Sequence, residues 1–356
     1  MHALQIPPTA SLEVKAIWQG LAEAHRHLAE LKGLCESLPN SAILLDTLSI
    51  QEAKDSSEVE NIITTHDELY AYDRSSSASP AAKEVQNYIA GLRIGYQAVI
   101  ETGLIRLDTI LQVQAEVQKN NAGLRKLPGT VIKNQTTGVI VYEPPQDAEL
   151  IKRLMTELVD FIHAGNGQED ELDPILRMAI AHHQFESIHP FYDGNGRTGR
   201  ILNLLMLQRE GLLDLPVLYL SRYIISTKAR YYQLLQSTRE TGNWVDWCAY
   251  IVKGVAVTAK SEVKLVKNLR DLMQATKHRL RDELPRIYSQ ELLNNLFRYP
   301  YTKIEFLEKD LGISRITAAK HLDALAAKGF VEKRKIGRTN FYINHPLFEL
   351  LTKITL

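Results

Sequence analysis

The chain has 356 residues, 45% of them hydrophobic and 24% charged, with 42 basic side chains against 42 acidic ones. That length exceeds one ordinary domain, so two or three packed units are expected, with ample material for a core. A formal net charge of +0 argues against a general coater of nucleic acid or membrane, and leaves room only for a local basic patch.

Cys35 and Cys248 are the only cysteines, too few for a disulfide framework or a zinc quartet. They suit a reducing compartment. The start, MHALQIPPTASLEV, lacks a charged segment followed by an apolar core, so no signal peptide is expected. No run of about 18 apolar residues occurs, so no membrane span is expected either. Cytoplasmic placement follows as the expectation.

In chain order, the first hundred residues read as amphipathic helices. Leu12 to Leu31 and Glu84 to Leu104 carry apolar residues at helical spacing, the latter around Tyr88, Ile89, Leu92 and Ile94. Between them Asp73 to Ala82 is a polar Ser/Pro loop. Residues 121 to 147 break the pattern. Thr130 to Ile132 and Val139 to Tyr142 flank a turn at Thr137 and Gly138, which reads as a β-hairpin stopped by Pro144 and Pro145. Helices are expected over Asp173 to Ser187, Thr198 to Arg209 and Trp244 to about Leu284. In the tail, Ile304 to Leu311 and Ser314 to Lys328 are helices parted by Gly312. Gly329 caps the second, and two strands follow around Gly337. Helix, turn, helix and a basic hairpin describe a winged helix.

The chemistry concentrates in SIHPFYDGNGRTGR, Ser187 to Arg200, between two helices. Gly194 and Gly196 flank Asn195 and expose backbone N–H groups that lead into a helix N-terminus, a nest for phosphates. Arg197 and Arg200 share a helical face and can grip phosphate oxygens bidentately. Asp193 is a hard oxygen ligand suited to Mg²⁺. His189 titrates near neutrality and can take a proton from an attacking hydroxyl. Base, metal ligand and phosphate cradle together are the kit for transferring a phosphorus-bearing group. Each residue alone would pass for a turn or a satisfied structural side chain. A structural turn needs no paired arginines beside an Asp and a His.

HPFYDGNGRTGR resembles the Fic signature, HPFx(D/E)GNGRxxR, at every defining position, and the resemblance spans about residues 5 to 260. It implies protein adenylylation: His189 deprotonates a target Ser, Thr or Tyr, and the oxygen attacks the α-phosphorus of ATP. Asp193 would hold Mg²⁺. Gly194, Asn195, Gly196 and Arg197 would cradle phosphates, Thr198 and Gly199 would complete the ATP-binding stretch, and Arg200 would meet the γ-phosphate. The same resemblance assigns Tyr231, Tyr232 and Asn243 to the adenosine pocket, although paired aromatics on helices are also common core. Many relatives carry Asn-Arg where this chain has Thr227 and Lys228, so the base end departs from the pattern. The hairpin resembles a flap whose edge, Thr130, Val131, Ile132 and Lys133, can pair with a target peptide by strand addition.

SSEVEN, Ser56 to Asn61, matches the family's inhibitory pattern (S/T)xxxE(G/N). The resemblance points Glu60 at Arg200, with Ser56 on the same helical face. Ser57 to Glu60 also fits a capping box, in which Glu60 would merely finish a helix start. His182, His183, Glu186 and His189 offer a candidate zinc cluster, but the spacing is not H-E-x-x-H. Cys248, beside Trp247, reads as core.

The expected architecture is mainly α. It comprises an N-terminal helical region (1–104) bearing segment 56–61, a Fic core with flap (105–260), a helical connector (261–285) and a winged helix (286–356). Arg315, Thr317, Lys320 and His321 on the tail's second helix, with Lys333, Arg334, Lys335 and Arg338 on the wing, could meet DNA. Winged helices also dock proteins or dimerise, and relatives allow a homodimer. Relatives with an inhibitory glutamate can also remove AMP. The rival reading is a nucleotide-sensing, DNA-binding regulator.

Overall fold

The computed structural model describes residues 4–7, 9–38, 40, 42–71, 79–133, 137–164, 172–337 and 339–353. The N-terminal periodicities fold as α1 (Lys15–Glu36), α2 (Ala42–Val59), α3 (His66–Tyr70) and α4 (Pro80–Thr102). α4 begins before the expected Glu84, because Ser79 accepts from the Ala82 N–H and Pro80 supplies the first helical position. The Ser/Pro loop therefore ends sooner than expected, and its residues 73–78 lie outside the described residues.

Next come α5 (Leu107–Gln118), β1 (Ile132–Lys133), β2 (Ile140–Tyr142), α6 (Ala148–His163), α7 (Pro174–Ile188) and α8 (Asn195–Arg209). The hairpin is antiparallel but shorter than expected, pairing Ile132 with Tyr142 and Lys133 with Ile140 across a register shift. Thr130 and Val131 precede the strand, and the Thr130 carbonyl accepts from the Gln146 side chain at 2.9 Å. After α9 (Leu220–Ser226) and α10 (Lys228–Thr241), the 40-residue α11 (Trp244–Glu283) packs most extensively on α1 and also contacts α7 and α9. Trp247, wholly buried, donates from its indole to the Ala179 carbonyl at 2.7 Å and so fastens α11 to α7.

The tail holds α12 (Gln290–Arg298), β3 (Tyr301–Thr302), α13 (Ile304–Leu311), α14 (Arg315–Ala327), β4 (Glu332–Ile336), β5 (Thr339–Ile343) and α15 (His345–Thr352). The two wing strands join a third, β3, in the order β3-β5-β4. Neither β3 nor α15 is visible in the sequence pattern, being short and without a clean period. Arg338 lies outside the described residues. α12 and α15 pack on α2, so the tail touches the helix that precedes Glu60. Among the described residues, no helix is long and apolar enough to cross a membrane.

Candidate active site

α7 starts at a side-chain cap from Asp173, carries Pro174 in its first turn, and ends at His189. His189 takes the left-handed conformation, φ 48° and ψ 60°, which ordinary residues adopt only when their surroundings hold them there. The Arg125 guanidinium donates to the His189 carbonyl at 2.7 Å and to that of Pro145 at 2.8 Å. Tyr142 donates from its hydroxyl to Ser187 O at 3.0 Å, and Arg239 stacks over the Tyr142 ring at 4.1 Å while bonding Ser187 Oγ at 2.9 Å. Burial first, then the positive charges of Arg125 and Arg239, push the His189 imidazole down to about 4. At neutral pH the ring is therefore uncharged and able to accept a proton.

The turn after His189 is locked by Asn195, whose side chain accepts from Phe191 N and donates to Phe191 O, both at 2.8 Å. Gly194 stands at φ 79° as the residue before α8, and no side chain caps the helix there. α8 thus begins at Asn195 and not at Thr198 as expected. Thr198 and Gly199 lie in its first two turns, both buried, with Gly199 packed against Glu186 and Phe185. An uncapped helix start with free N–H groups favours an anion. Asp193 is exposed, with one carboxylate oxygen accepting from Gly194 N at 2.6 Å.

The two arginines part company. Arg197 is 3% exposed and pairs with Glu84 of α4 at 2.7 Å, with Gln118 of α5 able to accept from it as well. It does not line the cleft. Arg200, equally buried, donates to Ser56 Oγ, Ser56 O and Glu60 Oε1, each at 2.8 Å. Burial is the largest influence and opposes its charge, yet Glu60, Tyr231, Glu186 and Tyr232 together more than offset it, and the guanidinium is held protonated beyond its ordinary range. Glu60 sits just past the end of α2, so the capping-box alternative fails: this is a helix end, turned by Asn61 at φ 62°. A Cβ added to Gly196 would lie 2.1 Å from Glu60 Oε1. The carboxylate therefore occupies the space directly over the first turn of α8.

These groups open onto a cleft of 610 Å³. Glu60, His189, Gly196 and Arg200 line it together with Lys228, Tyr231 and Tyr232 of α10 and Ile132, Lys133 and Val141 of the hairpin. Tyr232 is 42% exposed, whereas Tyr231 is buried with its hydroxyl 2.9 Å from His182 Nε2. Asn243 is not brought into the cleft: it precedes α11 and donates to Asp246 at 3.0 Å. Thr130 and Val131 do not line it either. Sequence reasoning missed Arg125 and Arg239, and it weighed Glu186 only as a zinc ligand. Lys228, noted only as a departure, donates to Asn61 Oδ1 at 2.8 Å and ties the turn after Glu60 to α10. Glu186 lines the cleft beneath Arg200, its carboxyl raised to about 7, mainly by burial.

The zinc alternative finds no support in the geometry. His182 and His183 are committed to Tyr231 and to the Leu235 carbonyl. Among the described residues no three His, Cys, Asp or Glu side chains converge as a metal site. In the tail, Arg315 pairs with Glu305 at 3.0 Å and Lys333 with Asp323 at 2.7 Å, which reduces the positive charge offered to a phosphate backbone. Cys248 is wholly buried, as expected of core.

Residues 104–207 match the family model described as Fic/DOC family. Residues 18–97 match Fic/DOC family N-terminal, and residues 272–347 match Protein adenylyltransferase SoFic-like, C-terminal domain. Protein adenylyltransferase fic-1 of Caenorhabditis briggsae is 28% identical over 190 residues, 52% of this chain and 33% of that protein. Its namesake in Caenorhabditis elegans is 29% identical over 170 residues, 47% of this chain and 30% of that protein. The matched stretch thus spans about a third of those relatives. Among solved structures, a Fic family protein from Desulfovibrio desulfuricans G20 superposes with TM-score 0.57 at 19% identity, over 93% of this chain and 96% of that one. A Fic domain containing signaling protein from Bacteroides thetaiotaomicron gives 0.55 at 19%, over 69% and 97%. Likeness at that identity speaks for the fold alone.

Proposed function

The chain belongs to the Fic/DOC family, and from that premise we propose that it transfers AMP from ATP to a Ser, Thr or Tyr hydroxyl of a protein. The observation that carries this reading is a convergence in one cleft: an uncharged His189, the uncapped start of α8 and the buried Arg200. Phosphates would rest on the first N–H groups of α8, and the γ-phosphate would take from Arg200 the bond that Glu60 now holds. The target hydroxyl, laid along the hairpin edge at Ile132 and Lys133, would give its proton to His189 as its oxygen attacks the α-phosphorus. Diphosphate then leaves, so one P–O bond forms as another breaks. Tyr232, exposed in the cleft, is the side chain best placed for the adenine ring.

Asp193 offers an exposed carboxylate at the mouth of the cradle, the single protein ligand that Mg²⁺ commonly takes beside substrate phosphates and water. Such an ion would neutralise phosphate charge. Glu60 on Arg200 is the proposed brake, since ATP must displace it to settle correctly. The same carboxylate could orient a water for AMP removal.

The test uses Glu60→Gly protein with a cell lysate and ATP labelled on either the α- or the γ-phosphate. Label from the α-position alone, abolished by adding His189→Ala, is the expected result. Transfer of γ-label would mean phosphorylation. No transfer, with ATP still bound, would favour a nucleotide sensor.

A further inference from the structure

Of the side chains outside the signature, one is tied to the His189 turn more completely than any other described. Arg125, in the loop between α5 and β1, is 1% exposed. Its Nε donates to His189 O at 2.7 Å, and a terminal nitrogen donates to Pro145 O at 2.8 Å and Ile188 O at 3.4 Å. Its own main-chain N–H donates to Pro190 O at 2.8 Å. One residue therefore holds the carbonyls of positions 188, 189 and 190, together with that of Pro145 just after β2.

His189 needs such a hold. A non-glycine residue in the left-handed region costs about 1–2 kcal/mol, and a turn left to itself relaxes out of it. A guanidinium suits the task because its planar fork fixes several carbonyls in one geometry, which an ammonium on a flexible stem does not. Shielding from water strengthens each bond. Arg125 itself does not line the cleft, so anything it does for the reaction passes through His189.

We propose that Arg125 is a positioning residue for AMP transfer, fixing the strained backbone of His189 so that its imidazole faces the cleft, and joining the foot of the flap to the same turn. The proposal rests on the transferase reading above. The charged groups that act on the imidazole are Arg125 from this loop, Arg239 from α10 and Glu60 from beyond α2, with Glu186 contributing a main-chain bond from α7. Both arginines favour the uncharged ring and Glu60 opposes them. Loss of Arg125 should thus move the imidazole midpoint upward, both because its charge goes and because a loosened turn admits water to a ring that burial holds down.

The experiment compares Arg125→Lys and Arg125→Met in Glu60→Gly protein by two readouts. The first is the His189 titration by NMR of labelled histidine without substrate, its resonance identified by its absence in His189→Gln. The second is kcat and KM for ATP. Arg125→Met should raise the midpoint and lower kcat. Arg125→Lys should leave the midpoint near the parent's yet lower kcat at least tenfold at unchanged KM for ATP. An unshifted midpoint in folded Arg125→Met overturns the proposal, as does a kcat in Arg125→Lys equal to the parent's. Should Arg125→Met fail to fold by circular dichroism, the Arg125→Lys kinetics decide alone. Should the parent transfer no AMP, the transferase reading falls, and the titration still decides the role of Arg125.

Discussion

Replacing Glu60 by glycine is the perturbation whose size follows most directly from the geometry. Arg200 donates one bond to Glu60 and two to Ser56, so removal of the carboxylate leaves the guanidinium oriented by Ser56 and open toward the cleft. A hydrogen bond to a charged group contributes about 1.5–3 kcal/mol. The Glu60 side chain is 32% exposed, so water competes and the lower part of that range, about 1.5 kcal/mol, is the fair figure. At about 1.4 kcal/mol per decade, that difference alone gives roughly a tenfold rise in correctly bound ATP. Glu60 also stands over Gly196, where an anion would rest, and its negative charge there adds repulsion. The rise expected for Glu60→Gly is therefore about 10- to 100-fold in the initial rate of α-label incorporation below saturating ATP. Glu60→Gln, which keeps the shape and a weaker bond, should fall between it and the wild type. Equal initial rates for Glu60→Gly and wild type across an ATP series would refute the competition for Arg200.

Two further predictions concern stability. Trp247→Ala removes a wholly buried ring and its bond to Ala179, and should cost about 3–5 kcal/mol in denaturant unfolding; a loss under about 1 kcal/mol would show that α11 is fastened elsewhere. Burial holds His182 and His183 down at about 3 and His66 at about 4, from an ordinary 6.5, so their contribution is intact above about pH 6.5 and drains away as pH falls toward those values. Burial raises Glu52 from 4.5 to about 8, so its contribution is intact below about 4.5 and drains away as pH rises to 8. Glu186, raised to about 7 by burial, adds to the alkaline loss, so the melting temperature should fall as pH rises from 6.5 to 8, and Glu52→Gln should flatten that decline. An unchanged decline in that variant would show that Glu52 titrates as an exposed carboxylate.

The stretch from His189 to Arg200 is legible because its chemistry is local: glycines, a base, a carboxylate and arginines sit within one turn and one helix start. Arg125 is illegible for the opposite reason. It lies 64 residues from the carbonyl it holds, and a single arginine in NAGLRKLPG has no periodicity to betray burial. Arg197 shows the limit of a shared helical face, since spacing puts it beside Arg200 while Glu84, brought up by α4, draws its side chain elsewhere. The segment SSEVEN, read as an inhibitory pattern, left open a helix start in which Glu60 would merely cap. Only the neighbours decide: α2 is covered on nearly every side, so its pattern shows no polar face to mark its course.

That burial explains how a glutamate beyond a helix end can be held within hydrogen-bond reach of one arginine. α2 buries Thr47, Ser49, Gln51, Glu52, Asp55 and Ser56, an unusual load for a covered helix. Glu52 accepts from Tyr88 of α4 and from Ser221 of α9, and Asp55 pairs with Arg222 at 3.0 Å. Asp46 is shared by Arg93 of α4 and Arg298 of α12, at 2.6 Å and 2.5 Å. Apolar surfaces tolerate sliding, whereas these bonds do not. A slip of one turn would strand several buried polar groups, each costing about 1–3 kcal/mol. α2 is thus registered against α4, α9 and the C-terminal unit at once, while Glu60, just past its end, keeps a side chain that is 32% exposed. On the proposed reading, ATP gains Arg200 by swinging aside one partly exposed side chain, with α2 itself staying in place. An α2 that must move would instead make activation sensitive to Asp46→Ala, which loosens its far end. Unchanged basal labelling in Asp46→Ala, beside a strong rise in Glu60→Gly, is the outcome this geometry requires.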